Sequence, residues 1–337
     1  MKNLTILLIA LLSTVFVYSQ QTPKTGYKIV NKIHLEGDEK WDYLYSDDQA
    51  GRLYVSHGSI VQVVDEVKGE LVGQINGLNG VHGIAIAPNL NKGFISSGKD
   101  SSVTIFDTKT LQVITRLTVT GKGPDAILFD PFSRKVFVFN GKSNNATVIN
   151  AETNQIVATI KLDGKPEFSV TDGIGKVYVN FEDNSEIALI DPSTCKVEQA
   201  WSIAPGEEPT GLALDNLTHR LFSVCSNKLM VVVDAETGKV LATLPIGERC
   251  DGAAFDPGLK RAYSSNGDST ITVIQESANG KFSVLTNVPT QKGARTITVN
   301  KLTHHIYLPS AKFEPQNEGE KPKIVPGTFI ILDIVPQ

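Results

Sequence analysis

A chain of 337 residues is long enough for two ordinary domains, yet one sequence rhythm runs from end to end, which argues for a single large unit. The formal net charge of −4 and the absence of any Lys/Arg cluster remove the concentrated positive charge that binds phosphate backbones, so nucleic acid is not an expected partner. Three cysteines, none in a Cys-x-x-Cys pair, give no support to a covalent haem or a thioredoxin-like centre.

Residues 1–19 open with Lys2, run through an apolar stretch from Leu4 to Val17 and end with Ser19 before Gln20. This is the pattern of a cleaved secretory signal peptide, too short to span a bilayer. A periplasmic or secreted mature protein without a transmembrane segment is expected, with the monomer as the expected state.

From Trp41 onward one unit repeats: an aromatic and β-branched strand, a polar turn, a second strand closing on Asp or Asn, then a further strand. The closing residue falls at Asp65, Asp107, Asn150, Asp191 and Asp234, at intervals of 41 to 43 residues, with Gln275 and Asp333 in the later copies. A period of about 40–45 residues carrying four short strands marks a propeller blade. The blades are expected near residues 41–78, 80–119, 121–162, 163–203, 206–246, 247–288 and 292–335. The last unit stops after its third strand at Ile330 to Val335, and Tyr27 to Leu35 resembles the missing fourth strand. The fold class is therefore all-β: a single seven-bladed β-propeller over residues 20–337, closed by an N-terminal strand that completes the last blade and covers its edge.

The tetrapeptides Tyr54-Val55-Ser56-His57 and Tyr178-Val179-Asn180-Phe181, with their Asp-terminated strands, resemble the YVTN-repeat β-propeller family and its secreted YncE-like members. The resemblance covers roughly residues 27–335 and implies the fold. It implies little about activity. Phe222-Ser223-Val224-Cys225 and Tyr307-Leu308-Pro309-Ser310 depart from the family tetrapeptide.

Overlaying the copies locates the site. In a propeller the inner strand of each blade begins at the face where the second strand ends, so both sets of residues are expected round one mouth of the channel. The inner ring reads Asp42, His82, Asp125, Glu167, Thr210, Asp251 and Arg295, and the second ring includes His57, Asn140 and Asn266. Two like charges about 8 Å apart at an effective dielectric of about 20 repel by about 2 kcal/mol, so a ring this rich in carboxylates needs an offset. Structural aspartates should recur in every copy, whereas this position changes chemistry from blade to blade. The expected ligand site is Asp42, His57, His82, Asp125, Asn140, Glu167, Asp251, Asn266 and Arg295, with a small polar or cationic ligand, or a protein docked on the rim, as partner. A divalent metal is expected, if anywhere, at His57, His82, Asp42 and Asp125. The Asp65, Asp107, Asp191 and Asp234 series repeats with nearby Thr and reads as turn-forming at the opposite face.

Other features are structural in the same reading. The recurring aromatics Tyr54, Phe94, Phe137, Tyr178, Phe222, Tyr263 and Tyr307 are expected to pack between blades, and His219, His304 and His305 to lie exposed in turns. Cys225 and Cys250 are expected close together, open to a bridge that leaves Cys195 free. The segment from Ala311 to Pro326 interrupts the last blade as a lid over the mouth or as a surface insertion. Two functions follow: a binding propeller, or a metal-assisted lyase or hydrolase using the same carboxylate, His and Arg groups.

Overall fold

Short runs of β-branched and aromatic residues, punctuated by Gly, Asn and Asp, give twenty-eight strands and one turn of 3-10 helix, at Pro88–Leu90, among the described residues. The computed structural model describes residues 26–278, 280–315 and 322–337. The leader read over residues 1–19 lies outside the described residues. The strands form seven antiparallel sheets of four, the blades of an all-β propeller. Their inner strands are Trp41–Asp47, Val81–Ala87, Pro124–Asp130, Pro166–Thr171, Pro209–Asp215, Cys250–Asp256 and Thr298–Val299. No helix long and apolar enough to cross a membrane occurs among the described residues.

Each interface between neighbouring blades has its own apolar cluster. Tyr54 meets Phe106 between blades 1 and 2 at 5.9 Å, and Phe222 stacks on Phe255 between blades 5 and 6 at 5.2 Å. The seven recurring aromatics are all buried, as interblade packing requires.

Closure uses the N-terminal strand. Tyr27–His34 pairs antiparallel with Ile330–Pro336, and the blade order runs from this strand through Ile330–Pro336 and Ile306–Ser310 to Thr298–Val299. The Tyr27 ring lies under the Arg261 guanidinium, whose Nη1 donates to the Tyr27 hydroxyl at 2.9 Å, so the closing strand is tied to blade 6 as well. Across the seam to blade 1, Asn300 donates to Glu66 at 2.6 Å and the Thr296 hydroxyl donates to the Asp42 carbonyl at 2.8 Å.

The Asp series caps turns: one carboxylate oxygen of Asp65, Asp107 and Asp234 accepts two successive backbone N–H groups. His304 and His305 depart from the expected exposure. Each is half-buried, with Nδ1 donating at 2.7 Å to Asp256 and Asp333 respectively. A buried carboxylate on each facing strand, Asp256 or Asp333, recruits the imidazole as its partner. Cys225 and Cys250 lie close together as expected, without the bridge that the sequence left open. The thiols are neighbours but free, and Cys250 Sγ donates to the Cys225 carbonyl at 3.1 Å. Burial first pushes both up to about 12.

Candidate functional site

The ring residues sit in a recurrent β-bulge. In blades 1, 2, 3, 4 and 5 the pairing of inner and second strands slips just after the first residue, between Trp41 and Leu44, Val81 and Ile84, Pro124 and Ile127, Pro166 and Ser169, and Pro209 and Leu212. Blade 6 slips between Cys250 and Gly252, and in blade 7 Arg295 precedes the shortened inner strand. Such a bulge re-aims side chains and frees backbone groups from the ladder. Polar side chains of the neighbouring blade take up those groups. Ser96 donates to the Asp125 carbonyl at 2.5 Å, Asn180 to the Thr210 carbonyl at 2.9 Å and the Gly211 carbonyl at 3.2 Å, and Ser265 to the Arg295 carbonyl. Blades 2, 4 and 6 thus hold the site segment of the blade that follows them.

The charged side chains gather in three groups. His82 Nδ1 donates to Asp42 Oδ2 at 2.6 Å and stands 3.7 Å from Asp125 Oδ1. One ligand atom from each of Asp42, His82 and Asp125 lies within 4.8 Å of the others, a spacing that could hold a divalent ion. Arg295 pairs with Asp251 at 2.8 Å. Lys165 pairs with Glu167 at 2.7 Å and also with Glu182. Five carboxylates therefore face two permanent cations in these groups.

The imbalance appears in the acidities. Burial, then the charge of Asp42, pushes Asp125 up to about 6. Burial pushes Glu167 up to about 8, with Lys165 opposing and Asp125 adding to the rise. Asp251 is pushed up to about 7 by burial, against the pull of Arg295. Burial acts against a charged His82, but the hydrogen bond to Asp42 and the charges of Asp125 and Asp42 outweigh it, and its pKa is raised. Oδ1 of Asp125 is a buried atom without a hydrogen-bond partner.

Beneath the ring, the next inner-strand position is small in most blades: Gly83, Ala126, Gly211, Gly252 and Thr296. A Cβ on Gly211 would lie 2.5 Å from the backbone of Ala253, so close packing of the inner strands demands glycine there. The exceptions are Tyr43 and Phe168, whose rings meet at 5.2 Å between blades 1 and 4. The acidity of the Tyr43 hydroxyl is suppressed first by burial and then by the charges of Asp125, Asp42, Asp251 and Glu167. Below the aromatic pair runs a channel of about 330 Å³, lined by Leu44, Ile84, Ile127, Val170, Leu214 and their equivalents.

His57, Asn140 and Asn266 do not join this mouth, and the second ring is corrected. His57 is buried against Phe329 at 4.0 Å, with its ring nitrogens 3.0 Å from Gln62 Oε1 and from the Glu39 carbonyl. The metal expectation thus loses His57. Asn140 and Asn266 are buried and donate to Asn145 and Thr147, and to Thr270 and Thr272, within their own blades. Thr210 points its hydroxyl at backbone carbonyls of Val224 and Cys250. Lys165, Glu182, Tyr43 and Phe168 were missed. The signal for the first two was adjacency, since Lys165 and Glu182 flank the paired strand ends Pro166 and Phe181. The base of the 311–326 insertion pairs Phe313 with Ile324 and sets the Phe313 ring, tilted, against Trp41 at 6.1 Å. Residues 316–321, the middle of the segment read as a lid or surface insertion, lie outside the described residues.

No protein-family model and no curated protein matches the chain. Among solved structures it is similar to a chain of hydrazine synthase from Kuenenia stuttgartiensis, with a TM-score of 0.70 and 17% identity over 86% of this chain and 95% of that one. At that identity the likeness carries the propeller fold alone.

Proposed function

We propose that the chain is a secreted or periplasmic binding propeller of the YVTN-repeat, YncE-like type, and that its charged mouth binds a small cationic ligand. One observation carries the reading: Asp42, Asp125, Glu167, Glu182 and Asp251 converge where Lys165 and Arg295 supply the only permanent positive charges of the paired groups. A cation there replaces protons that the raised carboxyls otherwise retain. The test is calorimetric titration of the exported protein with inorganic and organic cations at pH 7, in two buffers of different ionisation enthalpy. Binding with proton release, weakened about tenfold or more in Asp125→Asn, supports the reading. Equal affinity in the variant, or no cation bound, refutes it. Mass measurement of the exported protein checks the loss of residues 1–19.

The placement of Asp42, His82 and Asp125 within 4.8 Å favours a second reading, a metal-assisted lyase or hydrolase. In that reading the three side chains hold a divalent Lewis acid and Arg295 stabilises a developing anion. Equilibrium dialysis with manganese and zinc, in parent and His82→Ala, decides it: stoichiometric metal lost in the variant favours the enzyme, and no retained metal removes it.

A further inference from the structure

The floor of the charged mouth is aromatic. Tyr43 and Phe168 directly follow the ring residues Asp42 and Glu167 in sequence, and their rings meet at 5.2 Å with an interplanar angle of 57°. At the other blades the same position is small, so the two rings supply the bulk that separates carboxylates above from the apolar channel below. An inorganic ion gains little from such a floor, because its contacts are all to oxygen donors. A cation bearing carbon gains twice: its charge lies against the negative faces of the rings, and its alkyl groups leave water.

The mouth also has a place for a donor. Arg295 is occupied with Asp251, and Lys165 with Glu167 and Glu182, which leaves Asp42 and Asp125 with the single imidazole of His82. His82 Nδ1 is committed to Asp42 at 2.6 Å, and the buried Oδ1 of Asp125 has no hydrogen bond. A buried acceptor without a donor is uncommon and marks a missing partner.

Resting on the cation-binding reading, we infer that the ligand of this mouth is an organic ammonium, with its N–H groups or cationic head on Asp125 and Asp42 and its carbon atoms on Tyr43 and Phe168. Ligand size is bounded by the mouth above the aromatic pair. Longer alkyl chains reach the apolar channel only where the two rings part.

The experiment is calorimetric titration with propylammonium, tetramethylammonium, potassium and calcium chlorides, in the parent, Phe168→Leu, Tyr43→Phe and Asp125→Asn. Phe168→Leu keeps an apolar side chain and removes the π face, and circular dichroism with thermal melting checks that each variant folds. The inference expects both alkylammonium ions to bind the parent, and Phe168→Leu to weaken tetramethylammonium about tenfold while leaving potassium and calcium unchanged. Tyr43→Phe, which keeps the ring, should retain tetramethylammonium binding. Asp125→Asn should weaken both organic ions. If calcium or potassium binds and the alkylammonium ions do not, or if Phe168→Leu leaves tetramethylammonium affinity unchanged, the inference is overturned while the cation reading stands. If none of the four cations binds, both fall together.

Discussion

Asp125 is held in two conflicting ways: its backbone carbonyl is fixed by Ser96 at 2.5 Å, while its side chain is left beside Asp42 with an unpaired buried oxygen. The consequence is a proton that folding retains. Asp125, Asp251 and Glu167 are pushed up to about 6, 7 and 8, so across the window from the ordinary carboxyl range near pH 4 to about pH 8 the folded chain binds more protons than the unfolded one. Stability therefore falls as pH rises through that window, and the raised pKa of His82 adds the same sign. Urea midpoints should be lower at pH 8.5 than at pH 5, and the Asp125→Asn, Glu167→Gln double variant should flatten the slope and gain about 2 °C or more in melting temperature at pH 8. A midpoint that rises with pH would contradict the assignment. The ring itself was legible because a repeat fixes equivalent positions, and at most of them the residue type departs from the repeat. His57, Asn140 and Asn266 misled for a physical reason. They pair with Trp41, Pro124 and Cys250, one residue before the ring, and lack the bulge that turns the ring residues inward.

At the scale of the strand, that bulge is the device a sequence hides. The number of blades, the Asx turns and the interblade aromatics follow from spacing and residue type, but a one-residue slip in register leaves no mark in the composition. Its supports are visible only in space: Ser96, Asn180 and Ser265 each reach into the following blade. Asn180→Ala removes both donors to the Thr210 and Gly211 carbonyls and the acceptor of the Ser223 hydroxyl. Leaving buried polar groups unpaired costs about 1–3 kcal/mol, so the variant should lose about 2 kcal/mol in equilibrium urea unfolding. A change below about 0.5 kcal/mol would show that the bulge holds without this clasp. Lys165 escaped the sequence reading because it lies outside the strand, one residue before Pro166, where it meets Glu167 and Glu182.

Across the whole molecule, stability is distributed over seven separate interblade clusters rather than one core. Opening one seam exposes two apolar faces, and detaching Tyr27–His34 also bares the edge of Ile330–Pro336, a template for association. Deleting residues 20–36 should abolish the single cooperative thermal transition and produce soluble aggregates by light scattering. An unchanged transition would mean that the ring does not need Tyr27–His34. The same strand sets where the chain enters and leaves. Tyr27 pairs with Pro336, and the Gln337 N–H donates to the Gly26 carbonyl at 2.9 Å, beside the end of the blade marked by Val299 and Ile306. Arg295 and the carboxylates lie at the other end of the inner strands. Gly26 and Gln337 therefore sit on the face opposite the charged mouth, so a surface or bead coupled at these two positions leaves the proposed site facing outward and clear of the coupling chemistry.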